Sequence, residues 1–278
     1  MNRIAVIFDF DDTLAPDSTS SFLEHMGVNV PEFWKKKVQP LLDDDWDPIP
    51  AYLYMMIEES NSGKIPPITR AELESFGSKI SFHKGVAGMF KRLEDHVRQI
   101  YSDTDIEFYL ISSGIGDILR NTAISKNFKD IWASDFSYDQ NDKIKFPKKI
   151  VSFTDKTRYL FHIAKGLTGP KFRGKPFDVN KKVDISKLKV PTDHMIFVGD
   201  GYTDIPCFSL IKKGGGYAFG VYDNENRDKW GRAWGFIEEG RVTSLYSANF
   251  SEKSDLSNSL LMAIDSIANR IKLKSLTY

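Results

Sequence analysis

The chain opens with an apolar run, Ile4 to Phe8 (IAVIF), that stops abruptly at three acidic residues within four positions: Asp9, Asp11 and Asp12. A continuous apolar run with no polar alternation suits a strand covered on both faces. Carboxylates crowded at the end of such a strand repel one another. Their packing is costly unless a cation or a shared proton offsets it. The first residues therefore call for a buried strand and, at its tip, for a cation, which points to a metal-dependent site near residue 9.

Two further apolar runs end in the same manner. Phe108 to Ile111 leads into Ser112, Ser113 and Gly114, and Met195 to Val198 leads into Gly199, Asp200 and Gly201. Helical candidates follow at Ile115 to Lys126 and Ile205 to Lys212, and weaker strands are read at Ile131 to Ala133 and Ala218 to Val221. Strands alternating with helical stretches predict an α/β fold: a Rossmann-like three-layer α/β/α core around a mostly parallel sheet. Ligands of such sheets bind beyond the carboxyl ends of the strands. The three polar tips, distant in sequence, are thus expected to share one crevice.

Residues 19–83 read differently. Ser21 to Met26, Glu32 to Leu42, Ala51 to Glu59 and Arg70 to Ile80 are helical candidates, with no convincing alternating strand among them. Pro31 can open the second, and Thr69 can cap the fourth with Glu72 three residues on. The expected organisation is a small helical cap, 19–83, inserted into a core made of 1–18 and 84–278. The apolar cap residues Phe33, Trp34, Tyr52, Tyr54, Met55 and Met56 form the cap's own core, or one or two of them line a lid over the site. Gly85 to Gln99 carries an apolar stripe and reads as the helix that re-enters the core. Thr168 to Lys189 is polar and interrupted by glycine and proline, as a surface excursion would be, and Asp255 to Lys272 reads as a terminal helix.

Composition narrows the function classes. Lys plus Arg equals Asp plus Glu, 38 of each, so no global field favours nucleic acid or a membrane surface. Asp9 interrupts the only apolar N-terminal run, which leaves no signal peptide or membrane span to read. The single cysteine, Cys207, excludes an internal disulfide and a cysteine-rich zinc site, and fits a cytoplasmic protein. No GxGxxG follows the first strand, and the GGG at Gly214 to Gly216 comes after a helix instead, so a dinucleotide-binding module is not indicated.

Asp9 and Asp11 are two apart, so on a continuing strand their side chains would share a face. Carboxylates are hard oxygen ligands suited to Mg²⁺. A second acidic cluster, GDGYTD, places Asp200 directly after a strand and Asp204 one helical turn later. Asp204 also fits as the cap of the helix that Pro206 helps to open. A hydroxyl at a strand end before a helix, as at Ser112 or Ser113, can bind a phosphate oxygen or simply cap that helix.

With these residues in view, FDFDDTL resembles the DxDxT motif of the haloacid dehalogenase-like hydrolase superfamily, matched by Asp9, Asp11 and Thr13. LISSG resembles the second motif, aligned on Ser112 with Ser113 as the other register, and GDGYTD resembles the fourth, through Asp200 and Asp204. The inserted helices fall where phosphoserine-phosphatase-like members carry a cap. The resemblance implies a Mg²⁺-dependent phosphatase acting on a small phosphomonoester through an aspartyl-phosphate, with Asp9 as nucleophile and Asp11 as general acid and base. It implies a metal site of Asp9, Asp11 (through its backbone carbonyl), Asp200 and Asp204. Phosphate contacts would come from Thr13, Ser112, Ser113, Gly114 and a lysine of the third motif. Lys156 is the choice for that lysine, with Lys148, Lys149 and Lys165 as competitors. Asp12 receives no role. The implied partner is a small phosphorylated metabolite, with no nucleic acid and no membrane, and the implied state is a monomer or homodimer. A phosphomutase, a phosphonate hydrolase and a non-catalytic phosphometabolite-binding protein are the alternatives. Cap residues that could choose the substrate, among them Glu24, His25, Arg70 and Lys84, are not ranked by the sequence, and His83 reads as a hinge or surface residue rather than a catalyst.

Overall fold

The computed structural model describes residues 2–224 and 230–276. Seven strands form one sheet: β1 (Asn2–Phe8), β2 (Thr104–Ile115), β3 (Asp130–Tyr138), β4 (Ile144–Lys149), β5 (Met195–Gly199), β6 (Tyr217–Tyr222) and β7 (Ser244–Ser247). Their order across the sheet is β4-β3-β2-β1-β5-β6-β7. Every neighbouring pair is parallel except β3 and β4. The register explains why three distant motifs meet. Phe8 lies opposite Leu110 on one side and Val198 on the other, so the next residues of β1, β2 and β5 emerge side by side.

The apolar run of β1 is divided between two layers by the two-residue alternation of a strand. Ile4, Val6 and Phe8 belong to one buried cluster, and Ala5 and Ile7 to the other. The first layer is built on α6 (Val86–Ile100) and α11 (Asp255–Leu276). The second is built on α8 (Phe153–Lys165) and α9 (Ile205–Lys213), with Phe236 of α10 (Trp230–Glu238). In the first layer Phe8 meets Phe90, Phe128 and Phe250 edge-on, with centroids 6.1, 6.4 and 6.2 Å away. Each such pair adds roughly 0.5–1.5 kcal/mol to the burial of its rings. The chain enters α6 through Gly85 at φ +85°, where an added Cβ would collide with the backbone of Phe250. Only glycine combines that conformation with that approach.

The inserted segment holds α1 (Ser18–His25), α2 (Val30–Glu32), α3 (Gln39–Asp43), α4 (Pro48–Asn61) and α5 (Arg70–Gly77). Asp17 caps α1 by accepting from the amides of Thr19 and Ser20 at 3.0 Å, and Thr69 caps α5 through the amide of Glu72 at 3.3 Å. Between α2 and α3 the residues Phe33–Val38 are π-helical, so the expected single helix widens before Pro40, which has no N–H to give the helix ladder. Phe22, Phe33, Leu53 and Met56 join the same buried cluster as Phe8. The inserted helices therefore pack on the core rather than standing apart from it.

Some expectations are corrected. α1 begins at Ser18 rather than Ser21, and α5 ends at Gly77 rather than Ile80. The long helix expected over Ile115 to Lys126 does not form. β2 continues to Ile115, α7 (Gly116–Leu119) makes one turn, and a 3-10 turn follows at Ser125–Asn127. The side chains of Asn121 and Thr122 donate to the carbonyls of Asp117 and Leu119, and such local bonds compete with helix propagation. The antiparallel β4 has no counterpart among the expected strands. Its charged, proline-containing sequence suits an edge. This β3–β4 hairpin grips the insertion. Ile144 N donates to Ile68 O at 2.9 Å, Arg70 N donates to Asp142 O at 3.0 Å, and Arg70 also pairs with Asp142 through its side chain. Among the described residues no helix is long and apolar enough to cross a membrane.

Candidate active site

Asp9 is anchored before its side chain is considered. Its amide donates to Val198 O at 2.9 Å, extending the β1–β5 ladder by one residue. Its Oδ1 accepts from the Phe10 amide at 2.7 Å, and its Oδ2 accepts from Lys156 Nζ at 2.7 Å. The chain then folds back so that Phe10 O accepts from the amides of Thr13, Leu14 and Ala15. Asp12 makes the reversal possible at φ +55°, a left-handed conformation that aspartate tolerates better than most residues. The third aspartate of the cluster thus has a conformational reason to be there.

Asp11 bonds elsewhere. Its Oδ1 accepts from the Ser18 amide at 2.8 Å, at the start of α1. Burial, with the charges of Asp17 and Asp9, pushes its carboxyl up to about 8 against the lowering effect of Ser18. That direction favours the protonated carboxyl over the carboxylate.

Lys156 lies in the first turn of α8, inside the helix rather than before it, and is fully buried. Its Nζ bridges Asp9 Oδ2 and Asp204 Oδ1 at 2.7 Å each. Burial alone would lower its pKa, but Asp204 and Asp9 outweigh that and hold it above the usual lysine value. Lys149 instead lies over the Tyr159 ring, Lys165 donates to the carbonyls of Val179 and Lys181, and Lys148 is exposed.

Asp204 occupies the N-cap position of α9, but its side chain makes no capping bond to that helix. Its Oδ2 accepts from the Gly201 amide at 3.0 Å, closing the GDG loop, while its Oδ1 takes Lys156. Its carboxyl is pushed up to about 6, first by burial and then by Asp9, with Lys156 opposing. Thr13 Oγ1 donates to Asp200 Oδ1 at 3.4 Å, tying the first loop to the fourth. One oxygen each from Asp9, Asp200 and Asp204 lies within 4.8 Å of the others, and all three residues are buried. Three hard anionic oxygens so gathered can coordinate a divalent cation. The Asp11 side chain is outside this group.

The β2 tip supplies the remaining wall. Ser112 Oγ accepts from the Gly114 amide at 3.0 Å, so it shapes its own loop instead of capping α7. A Cβ at Gly114 would stand 2.7 Å from Asp11 Oδ2 and 3.2 Å from Ser112 Oγ. Glycine is what allows this backbone to approach Asp11. The hydroxyls of Ser113 and Ser18 are buried without a partner.

The cap contributes residues that periodicity alone reads as core. Tyr52, 7% exposed, donates its hydroxyl to Ser113 O at 2.7 Å. Trp34 Nε1 donates to Ser20 Oγ at 2.9 Å, and Ser20 Oγ donates to Asp17 Oδ2 at 2.7 Å. Nothing in the spacing of Trp34 and Tyr52 distinguishes them from their packed neighbours. Of the unranked cap candidates, Glu24, His25 and Lys84 are exposed, and Arg70 is paired with Asp142. His83 donates its amide to Leu14 O at 2.9 Å, joining the two strands of chain that enter and leave the cap. Cys207 is buried in the core on α9.

The sequence matches no protein-family model. It is 26% identical over 292 residues to an uncharacterized protein of Borreliella burgdorferi, covering 95% of this chain and 97% of that protein. Among solved structures it is similar to a substrate-bound phosphoserine phosphatase, with TM-score 0.57 and 17% identity over 94% of this chain and 98% of that one. It is similar as well to a haloacid dehalogenase family hydrolase of Salmonella enterica serovar Typhi (TM-score 0.53, 14% identity, 81% of this chain and 64% of that one). A phosphoserine phosphohydrolase-like protein of Francisella tularensis shows TM-score 0.50 and 15% identity over 94% of this chain and all of that one. At these identities the likeness is one of fold alone: an α/β core of the haloacid dehalogenase type with an inserted helical region.

Proposed function

We propose that the chain is a Mg²⁺-dependent phosphatase of small phosphomonoesters, working through an aspartyl-phosphate on Asp9. The observation that carries this is the division of labour among the carboxylates. Asp9 shares a buried lysine with Asp204 within a group of three carboxylates that can hold a cation, while Asp11 bonds instead to the Ser18 amide and has its carboxyl raised by burial. An Asp9 oxygen forms a bond to phosphorus as the bond from phosphorus to the alcohol oxygen breaks, and Asp11 delivers its proton to that oxygen. Asp11, now ionised, takes a proton from the water that attacks the phospho-aspartate, and phosphate leaves with Asp9 restored. Lys156 balances charge on Asp9 and Asp204 throughout. Ser112 would hold a phosphate oxygen, with the Ser113 amide nearby. Mg²⁺, held by Asp9, Asp200, Asp204 and the Asp11 carbonyl, would supply positive charge to the phosphoryl oxygens. The substrate is a small phosphorylated metabolite. We place the enzyme in the cytoplasm, as a monomer or homodimer.

A screen of phosphorylated metabolites with Mg²⁺, scored by phosphate release, tests the proposal. Turnover is expected to vanish in Asp9→Asn with the fold preserved, and to be lost on chelation and restored by Mg²⁺. Full activity in Asp9→Asn, or turnover of every accepted substrate without metal, overturns it.

A further inference from the structure

We infer that Tyr52 is a positioning residue: the cap hydroxyl that holds the Ser112–Gly114 loop in register with Asp11. Its kinetic consequences rest on the phosphatase reading above, and its structural ones do not. Tyr52 sits on α4 in the inserted segment, 61 residues from Ser113 in sequence, yet its hydroxyl donates to the Ser113 carbonyl at 2.7 Å. That peptide lies between Ser112, whose Oγ receives the Gly114 amide, and Gly114 itself. Because Gly114 passes so close to Asp11 Oδ2, a shift of the Ser113 carbonyl changes the spacing between the loop and the proton donor.

The other side of Asp11 is held from the same patch of the cap. The Trp34 ring lies 5.8 Å from Tyr52, edge to face. Trp34 reaches Asp17 through Ser20, and Asp17 caps the helix whose first amide, Ser18, holds Asp11 Oδ1. Two adjacent aromatic side chains thus grip both backbone segments that flank Asp11. Plain packing would account for the rings. It does not require either polar atom to find a partner on the segments beside the acid. The cap is in turn fixed to the β3–β4 hairpin through Ile68 and Arg70, so the hydroxyl is aimed from a braced helix. Misplacement of reacting groups by about 1 Å can cost on the order of 10²-fold in rate, which gives such a contact leverage.

Tyr52→Phe removes one oxygen and keeps the ring. In the full chain with Mg²⁺, kcat for a primary alkyl phosphate, glycerol 3-phosphate, is expected to fall about tenfold with KM within about twofold, the scale of one hydrogen bond. The loss with p-nitrophenyl phosphate should be smaller, since its leaving group needs little proton donation. Hydrogen exchange gives a readout independent of turnover. The amides of residues 112–116 should exchange about tenfold faster in Tyr52→Phe, while those of β1 and β5 stay protected. Unchanged kcat on both substrates, an equal loss on both, or unchanged exchange at 112–116 overturns the inference. If the unmodified protein hydrolyses neither ester nor any metabolite screened, the phosphatase reading fails, and the exchange comparison alone decides the role of Tyr52.

Discussion

Replacing Lys156 with methionine tests the central charge arrangement. The Nζ lies 2.7 Å from oxygens of both Asp9 and Asp204 in a fully buried position. At an effective dielectric of about 20, each contact is worth about 6 kcal/mol in gross attraction. Desolvation of the ammonium cancels much of this. Without the lysine, carboxylates whose oxygens lie within 4.8 Å repel by about 3 kcal/mol on the same scale. The net cost of breaking a buried pair by removing one partner is about 3–5 kcal/mol. For a chain of 278 residues, with an unfolding entropy of about 2 cal/mol/K per residue, that corresponds to a Tm lower by about 5–9 °C. The assay is thermal and urea unfolding in chelated buffer. Because the folded pKa of Lys156 is raised, its contribution is present in full below about 10.5 and is lost only above it. The variant's deficit should therefore not arise from lysine titration near neutrality. It should narrow as the pH falls towards 5, because protonation of Asp204 relieves the repulsion. Adding Asp204→Asn to the variant should recover at least about 1 kcal/mol relative to additivity. A variant within about 0.5 kcal/mol of the parent in chelator, or strict additivity with Asp204→Asn, refutes the reasoning.

Other outcomes follow from single contacts. Gly114→Ala puts a methyl against Asp11 Oδ2 and Ser112 Oγ, so kcat should fall by about tenfold or more with little change in Tm, as measured by steady-state kinetics beside calorimetry. Gly85→Ala forces a left-handed alanine into the Phe250 backbone and should cost about 3 kcal/mol in urea unfolding; a neutral result would mean that α6 can shift its entry. His162, its ring tilted against those of Tyr159 and Trp132, has its pKa lowered chiefly by burial. A histidine with a lowered folded pKa gives stability that is present above its unfolded value near 6.5 and lost as pH falls through the folded one. The parent's urea midpoint, measured relative to that of His162→Gln, should therefore fall between about pH 7.5 and 5.5.

How much was legible depends on where the information sits. The strands whose apolar runs break at Asp9, Ser112 and Gly199 could be read because a doubly covered strand leaves an unbroken apolar run and its polar tip breaks it sharply. The edge strand β4 left no such trace, since one side of it faces solvent and its charges and Pro147 are what an edge tolerates. The helix expected after Ile115 has a helix-like apolar spacing, but Asn121 and Thr122 bond to their own turn instead. Asp204 satisfied the cap pattern on the page, and a lysine 48 residues away claimed it.

The sequence by itself determined the layered α/β core, the inserted helices and the acidic residues at the strand ends, because these are set by local periodicity and by the cost of placing carboxylates beside apolar strands. Only the tertiary structure decided which carboxylates share Lys156, that Asp11 bonds to the Ser18 amide outside that group, and that Tyr52 reaches Ser113. Those relations depend on parallel register and on a cap packed across the sheet ends, and neither leaves a spacing that a linear chain displays.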